Sequence, residues 1–341
     1  MIVSYTKEFI NLEGNLPLGV KLNKSCESTN DLVDIIKDIE ENGLDKEFIN
    51  HINDDYNSGI RLYIPKGVKI ESYVKLEFIM DDENPMVLDK NIIVAEEGSE
   101  ATLIIDYKTG DKVNGFHKGF TLVYAKENSV VNIIKIQRMN DTSQSLDSNF
   151  AFVEGNGKVN WISVELGSDI SNANYTTFLN GEASEGNLNS IYLGDGTRKM
   201  DIGYSMVHRG QRSISNIDTK GVLMDQARKV FRGNLDFKKG SRRAKGNEEE
   251  YVILLDPKVK SDSIPGLFCE EDDVEGSHAA SAGQIDEYKM FYLMSRGLSE
   301  RDAKKLIVEA SFRPIIDNIP SEKIRTEINE EIERRFLNAL S

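Results

Sequence analysis

The chain has 341 residues, with 42 Lys and Arg against 57 Asp and Glu, and a formal net charge of −15 at pH 7. This length can bury a large core, whereas the negative charge opposes binding to nucleic acid or to anionic lipid surfaces. The first residues lack the charged and apolar regions of a signal peptide, and no apolar run is long enough to span a bilayer. We therefore expect a cytoplasmic protein that binds neither nucleic acid nor membranes.

The chain has two cysteines, Cys26 and Cys269, and neither belongs to a CxxC pair. Two distant thiols are too few for a disulfide scaffold. Zinc fingers and ferredoxin-type cluster sites need several closely spaced thiolates. Any metal site in this chain must therefore use few ligands, ligands of mixed type, or ligands from two chains.

Residues 1–59 form the first predicted segment. Apolar residues recur at helical spacing within residues 31–41, and a second, shorter set lies between residues 44 and 52. We predict an N-terminal helical segment that ends at the polar stretch before Gly59.

Residues 60–275 have a different texture, with short β-branched and aromatic runs between polar turns. Turn markers recur 24 to 31 residues apart, at Gly67, Gly98, Asn128, Gly155, Gly186, Gly210 and Gly240. Two short strands fit into each interval, which favours a repetitive β architecture. A sandwich of ordinary hairpins stays open as the alternative.

The last segment, residues 276–341, has helical patterns. Gly297 can end a first helix in a left-handed conformation, and the run from Ser299 to Asp302 has the form of a capping box for a second helix. A third helix is predicted from an apolar stripe of Ile324, Ile328, Ile332 and Phe336. That stripe must be covered by another part of the fold.

Three motifs occur in order along the second half of the chain: GQRSISNIDTKG at residues 210–221, ARKVFRG at 227–233, and GSHAASAGQIDE with MFYLMSRGLS at 276–299. This series resembles the SufB/SufD family of iron–sulfur cluster assembly proteins, and the resemblance extends over about residues 133–310. It implies a mainly β protein whose core, residues 60–275, is a right-handed parallel β-helix flanked by N-terminal and C-terminal helical segments.

The resemblance also implies a function. A family member would be a scaffold component for cluster assembly, would not itself be an enzyme, and would act with a SufC-like ABC ATPase docked on residues 276–341. No Walker sequence occurs in the chain, so we expect nucleotide to bind to that partner. Aromatic and Arg side chains are common interface anchors, which makes Tyr292, Arg296 and Arg301 the predicted contacts. A homodimer or a SufB/SufD-type dimer is expected.

His278 is the first candidate ligand for a transient iron–sulfur cluster. A neutral imidazole binds iron, and the small residues around His278 leave room for an inorganic group. It matches the histidine that the family has at this site, and a dimer would bring two copies of it together. The structural alternative is a buried histidine that is hydrogen-bonded at a helix entrance.

The remaining candidate ligands depart from the family pattern. SufB-type members have a cysteine where this chain has Glu250, so Glu250 is a predicted replacement ligand. Cys269 could supply a thiolate, and the acidic run that contains Glu270 and Asp272 could attract iron. A lone cysteine is also common as a small buried hydrophobic residue, and a charge run as a solvated turn.

Two other functions stay open at this point. The chain could be a companion subunit of the same complex that binds no cluster, because the family cysteine is missing. It could also be a β-helix enzyme that cleaves polysaccharides, which would require acid and base residues that converge on one groove.

Overall fold

The computed structural model describes residues 2–6, 9–13, 16–24 and 56–339, and the side chains of residues 16–23 and 56–336. This part of the chain forms twenty strands and three helices. The first ten strands are β1 Ile2–Thr6, β2 Phe9–Glu13, β3 Lys21–Lys24, β4 Ile60–Ile64, β5 Lys69–Met80, β6 Met86–Ala95, β7 Glu100–Thr109, β8 Phe116–Ala125, β9 Val130–Arg138 and β10 Gln144–Val153. The others are β11 Lys158–Glu165, β12 Ile170–Leu179, β13 Glu185–Gly194, β14 Lys199–His208, β15 Ile214–Leu223, β16 Arg228–Phe237, β17 Lys245–Leu254, β18 Lys260–Ser263, β19 Gly266–Cys269 and β20 Glu275–Gln284. The helices are α1 Glu287–Ser295, α2 Glu300–Ile316 and α3 Glu322–Ala339.

From β4 to β18, successive strands alternate between two sheets, and neighbours from β4 onward are parallel; β19 lies in the same sheet as β18, and β20 returns to the other sheet. Sheet A has the order β2-β1-β5-β7-β9-β11-β13-β15-β17-β20, and sheet B has the order β18-β16-β14-β12-β10-β8-β6-β4-β3, with β19 also pairing to β16. One strand from each sheet makes a coil, and about eight coils stack into a solenoid. The predicted parallel β-helix is confirmed. A sandwich of hairpins is excluded, because hairpins pair antiparallel strands.

The interior of the solenoid follows from a period of two along each strand. Alternate side chains of β14 are buried, as expected for a strand with one face toward a core. Successive coils place large aromatic residues one above another, and neighbouring ring centroids lie 5.2, 5.5 and 5.6 Å apart along the column of Trp161, Tyr175, Tyr204 and Phe231. Each pair is edge-to-face, the geometry that aromatic quadrupoles favour.

One turn of each coil repeats the same left-handed backbone conformation. It occurs once per coil, at Gly67, Gly98, Asn128, Asn156, Ala183, Arg212 and Arg243. The amide of each residue donates to a carbonyl in the turn of the next coil, as in the 2.9 Å bond from Asn128 to Gly155. The turns therefore stack as regularly as the strands. One predicted turn marker was misplaced, because Gly186 lies inside β13, whereas Gly155 lies in a turn next to the left-handed Asn156.

In the predicted N-terminal helical segment, residues 1–59, the described residues form β1, β2 and β3 before the solenoid begins. β1 pairs antiparallel with β2 and parallel with β5, so these residues extend sheet A. The predicted helices at 31–41 and 44–52, and Cys26, lie outside the described residues.

The three C-terminal helices are present as predicted, but they begin later than residue 276, because β20 continues the solenoid to Gln284. Gly297 is left-handed, with φ of 96°, and the Ser299 side chain accepts a hydrogen bond from the Asp302 amide at the start of α2. None of the helices in the described residues is long and apolar enough to cross a bilayer.

Helices α2 and α3 cover the outer face of sheet A. The predicted stripe of α3 is buried there against isoleucine and valine side chains of β7 to β17. Arg335 of α3 is almost completely buried, and its guanidinium contacts the carboxylates of Asp141 at 3.0 Å and Asp195 at 3.1 Å. Charge pairing between the helix and the turns of the solenoid therefore supplements apolar packing.

Candidate functional site

The solenoid ends at its last coil, formed by β18, β19 and β20, which we call the open end. In the described residues no further coil packs on it, so β20 pairs only with β17, and β18 and β19 pair only with β16. Leu267 is in register with the buried Leu235 and would be buried in an inner coil, but here it is exposed; Phe268, in register with Asp236, is exposed on the outer face. The open end therefore presents apolar side chains and unpaired strand edges.

His278 lies in the middle of β20 and is exposed. Its partner in the register of the parallel pair is Glu248 of β17. Register partners on neighbouring strands point to the same face of a sheet. Glu248 faces the interior of the solenoid, so His278 lies on the inward face of β20. His278 is therefore neither buried nor at a helix entrance, the structural alternative considered for it.

Glu250 is buried and its carboxylate is fully engaged. It accepts hydrogen bonds from Lys229 Nζ at 2.7 Å, Tyr192 Oη at 2.8 Å and Ser263 Oγ at 2.5 Å. Burial lowers the pKa of Lys229, and the Glu250 carboxylate opposes that lowering. The position where SufB-type members have a cysteine is therefore occupied here by half of a buried ion pair.

Glu248 is also buried, but in the described residues neither of its carboxylate oxygens has a hydrogen-bond partner. Burial raises the pKa of Glu248 to about 7, and the negative charges of Glu250 and Glu249 act in the same direction. The side chain lies over Gly233, where an added Cβ would approach Cδ of Glu248 to 2.7 Å. A buried polar group without a partner costs about 1–3 kcal/mol, so this carboxylate is an unsatisfied feature of the fold.

Cys269 ends β19 and is an exposed free thiol. It is in register with Phe237 of sheet B, whereas His278 belongs to sheet A. No group of three or more His, Cys, Asp or Glu side chains that could hold a metal ion exists within the described residues. One chain therefore does not gather the predicted ligands into a complete site.

The acidic run after Cys269 packs on lysine side chains of the preceding coil. Glu270 contacts Lys238 at 2.9 Å, and Glu275 contacts Lys245 at 3.0 Å. Asp272 is exposed in the same turn. Hydrogen bonding and the positive charge of Lys238 lower the pKa of Glu270. The run thus stabilises the stacking of two turns, and Glu270 is paired with a lysine.

The predicted docking residues lie on the first two helices. Tyr292 is 56% exposed, and the Arg296 guanidinium lies 5.3 Å from the centre of its ring. Tyr288 and Phe291 of the same helix are 88% and 74% exposed. Arg301, in the first turn of α2, is only partly exposed. Helix α1 thus presents several aromatic side chains to solvent.

The sequence matches the family model described as SUF system FeS cluster assembly, SufBD core domain, over residues 78–311. The chain belongs to the SufBD family. The match includes nearly the whole solenoid and both helices that carry the exposed aromatic and arginine residues.

Curated relatives within the SufBD family agree with this assignment. The chain is 26% identical over 281 residues to the iron-sulfur cluster assembly protein SufD of Bacillus subtilis (strain 168), which covers 82% of this chain and 64% of the relative. It is 26% identical over 272 residues to iron-sulfur cluster assembly SufBD family proteins of Staphylococcus epidermidis and Staphylococcus aureus, covering 78% of this chain and 58% of each relative. The chain thus spans less than two thirds of the length of these proteins.

Glu248 was not among the ligands that the sequence predicted. Glu248, Glu249 and Glu250 are successive identical residues, and the inward row of residues 246, 248, 250 and 252 contains one large apolar side chain, Val252. The pattern alone therefore does not show which of the three carboxylates face inward.

Proposed function

We propose that this chain is a component of SUF-type iron–sulfur cluster assembly that pairs with a second copy through the open end and carries a SufC-like ABC ATPase on its C-terminal helices. The cluster is cargo that the paired chains hold and release. The observation that carries the proposal is the open end itself, where His278 lies on a strand with one unpaired edge, beside exposed apolar residues.

The chemistry of the open end favours a second copy as its occupant. Natural proteins normally protect a strand edge, since an unpaired edge invites pairing with another chain. β20 consists largely of small residues, so another backbone can approach it closely. Exposed Ile264, Leu267 and Phe268 would be buried in such a contact. Pairing of identical ends places two His278 side chains at one interface.

Helix α1 supports the ATPase part of the proposal. Tyr288, Phe291 and Tyr292 are exposed beside a groove of about 450 Å³ that Leu255, Met290 and other apolar residues line. Large exposed aromatic patches on soluble proteins mark interaction sites, and aromatic and Arg residues dominate binding energy at interfaces. The ATPase would supply hydrolysis, and this chain would act without being an enzyme.

The composition of the site agrees with a scaffold that must also release its cargo. Soft thiolates hold iron–sulfur clusters firmly, while imidazole and carboxylate ligands hold them less firmly. With His278 and Cys269 as candidates in each chain, two chains offer four ligands.

A companion subunit that binds no cluster is the second candidate. The observation that favours it is Glu250, which stands in the cysteine position and is engaged by Lys229. In that case the open end would pair with a different SufB/SufD-type chain that contributes the ligands.

Two surface substitutions test the pairing and the docking separately. Phe268→Glu at the open end should abolish dimerisation in analytical ultracentrifugation, whereas Ile214→Glu, at an exposed position of β15 within the solenoid, should leave it unchanged. Replacing Phe291 and Tyr292 by Ala should abolish co-purification with the ATPase but leave the dimer intact. A wild-type chain that stays monomeric at all concentrations and binds no ATPase would refute the proposal.

A further inference from the structure

Glu248 and His278 are direct neighbours across the last two strands of sheet A. They are register partners in the parallel pair of β17 and β20, in the row whose β17 members face inward. Adjacent strands lie about 4.8 Å apart. Metal bonds to carboxylate oxygen and imidazole nitrogen are about 2.0–2.2 Å long, so one ion can bridge two side chains at this separation.

The lack of a hydrogen-bond partner for Glu248 is not shared by the buried carboxylate next to it on the same face of β17. Two positions along the same strand, Glu250 accepts three hydrogen bonds, from Lys229, Tyr192 and Ser263. The fold thus supplies donors to one buried carboxylate and none, among the described residues, to the other. Such a group in a native protein calls for an explanation, and a bound cation is one.

The surroundings of the pair suit a cation that enters and leaves. His278 is exposed, and its neighbours in the same row, Gly276 and Ala280, are small and exposed. The positive charge of Lys229 is balanced by Glu250. The Glu248 carboxylate is fully buried directly behind this exposed row.

We infer that Glu248 and His278 together bind a ferrous ion at the open end, with one carboxylate and one imidazole from each chain. Imidazole and carboxylate together are a ligand set typical of non-haem iron(II). The identity of the ion as cluster cargo rests on the proposed function, whereas the pairing of the two side chains does not. Water, sulfide or the second copy of the chain completes the coordination.

Cobalt(II) alone is the first probe, because its visible absorption reports its coordination, and iron(II) under anaerobic equilibrium dialysis is the second. Glu248→Gln and His278→Ala should each weaken binding of both ions by about tenfold or more, since loss of groups that merely orient ligands already costs 10–100-fold. Glu249→Gln is the matched control, with the same change one residue away on the outer face, and should bind as the wild type does.

Circular dichroism and thermal melting of Glu248→Gln establish that it is folded. If it is not, Glu248→Asp retains the charge but retracts the carboxylate, and it should weaken cobalt binding in the same way. Wild-type affinity in the folded Glu248 variant, or no binding by the wild type itself, overturns the inference. If the inference is overturned, the proposed function still stands when the wild-type chain dimerises and accumulates iron and sulfide together with its ATPase. The proposed function fails as well if the wild-type chain neither dimerises nor accumulates iron and sulfide.

Discussion

The buried ion pair between Lys229 and Glu250 allows a direct test of what Glu250 does. Both side chains are fully buried, and their charged atoms are 2.7 Å apart. Removing one partner of a buried pair typically costs about 3–5 kcal/mol, because the other charge stays buried without compensation. Glu250→Gln keeps one acceptor oxygen, for Tyr192, and its NH2 group can donate to Ser263 Oγ, so the lower value, about 3 kcal/mol, applies.

That loss can be measured as a change in melting temperature. An unfolding entropy of about 2.1 cal/mol/K per residue, taken over 341 residues, converts about 3 kcal/mol into a decrease of about 4 °C. Differential scanning calorimetry should show this decrease for Glu250→Gln. The double variant Lys229→Met/Glu250→Gln should recover most of it, because no buried charge remains.

Glu249→Gln is the control for this pair of variants. Glu249 lies between two inward-facing residues but is itself exposed, so its free energy of unfolding should change by less than about 0.5 kcal/mol. The reasoning fails if Glu250→Gln melts with the wild type, or if the double variant melts no higher than the single one. A stable Glu250→Gln variant that loses iron would instead assign Glu250 to the ligand set.

Three further predictions concern the interior and the helical cover. Burial raises the pKa of Glu165 from 4.5 to about 7. The folded protein therefore keeps a proton that the unfolded chain releases, and its stability falls as the pH rises from 4.5 to 7. In urea at pH 8 the free energy of unfolding of Glu165→Gln should exceed that of the wild type by about 3 kcal/mol, with little difference near pH 4.5. Arg335→Met removes a buried guanidinium that pairs with Asp141, Asp195 and Glu331, while Arg198 still pairs with Asp195 at 2.7 Å; it should destabilise the docking of α3 by about 1–3 kcal/mol, which limited proteolysis would show as early loss of the C-terminus. Gly233→Ala places a methyl group against Glu248 and should cost about 1–3 kcal/mol in chemical unfolding, whereas Gly283→Ala, also in a strand but with open space around its Cβ, should cost much less.

Much of the architecture could be predicted because solenoids repeat. The spacing of turn residues and the short β-branched runs indicated strand pairs in coils, and the resemblance decided between a β-helix and a sandwich. The stripe from Ile324 to Phe336 correctly predicted a helix with a covered face. The turn conformations were harder, since Ala183, Arg212 and Arg243 adopt left-handed φ angles only because stacked backbone hydrogen bonds hold them there.

The candidate site was less accessible from sequence than the fold. His278 could be selected by its chemistry and its neighbours, and the structure places it at the open end. Which members of the run from Glu248 to Glu250 face inward depends on strand register, and three successive carboxylates give no apolar signal for it. The roles of Glu270 and Cys269 depend on which turn or strand stacks beneath them, which no local pattern specifies.

The central claim is that paired chains hold cluster cargo at the open end through His278. The most direct measurement is the iron and sulfide content per chain in the proposed complex with a SufC-like ATPase, purified anaerobically, for the wild type and for His278→Ala. The account predicts that both form the complex, that the wild type contains iron and acid-labile sulfide, and that the variant loses most of both. Equal iron and sulfide in the two complexes would contradict it.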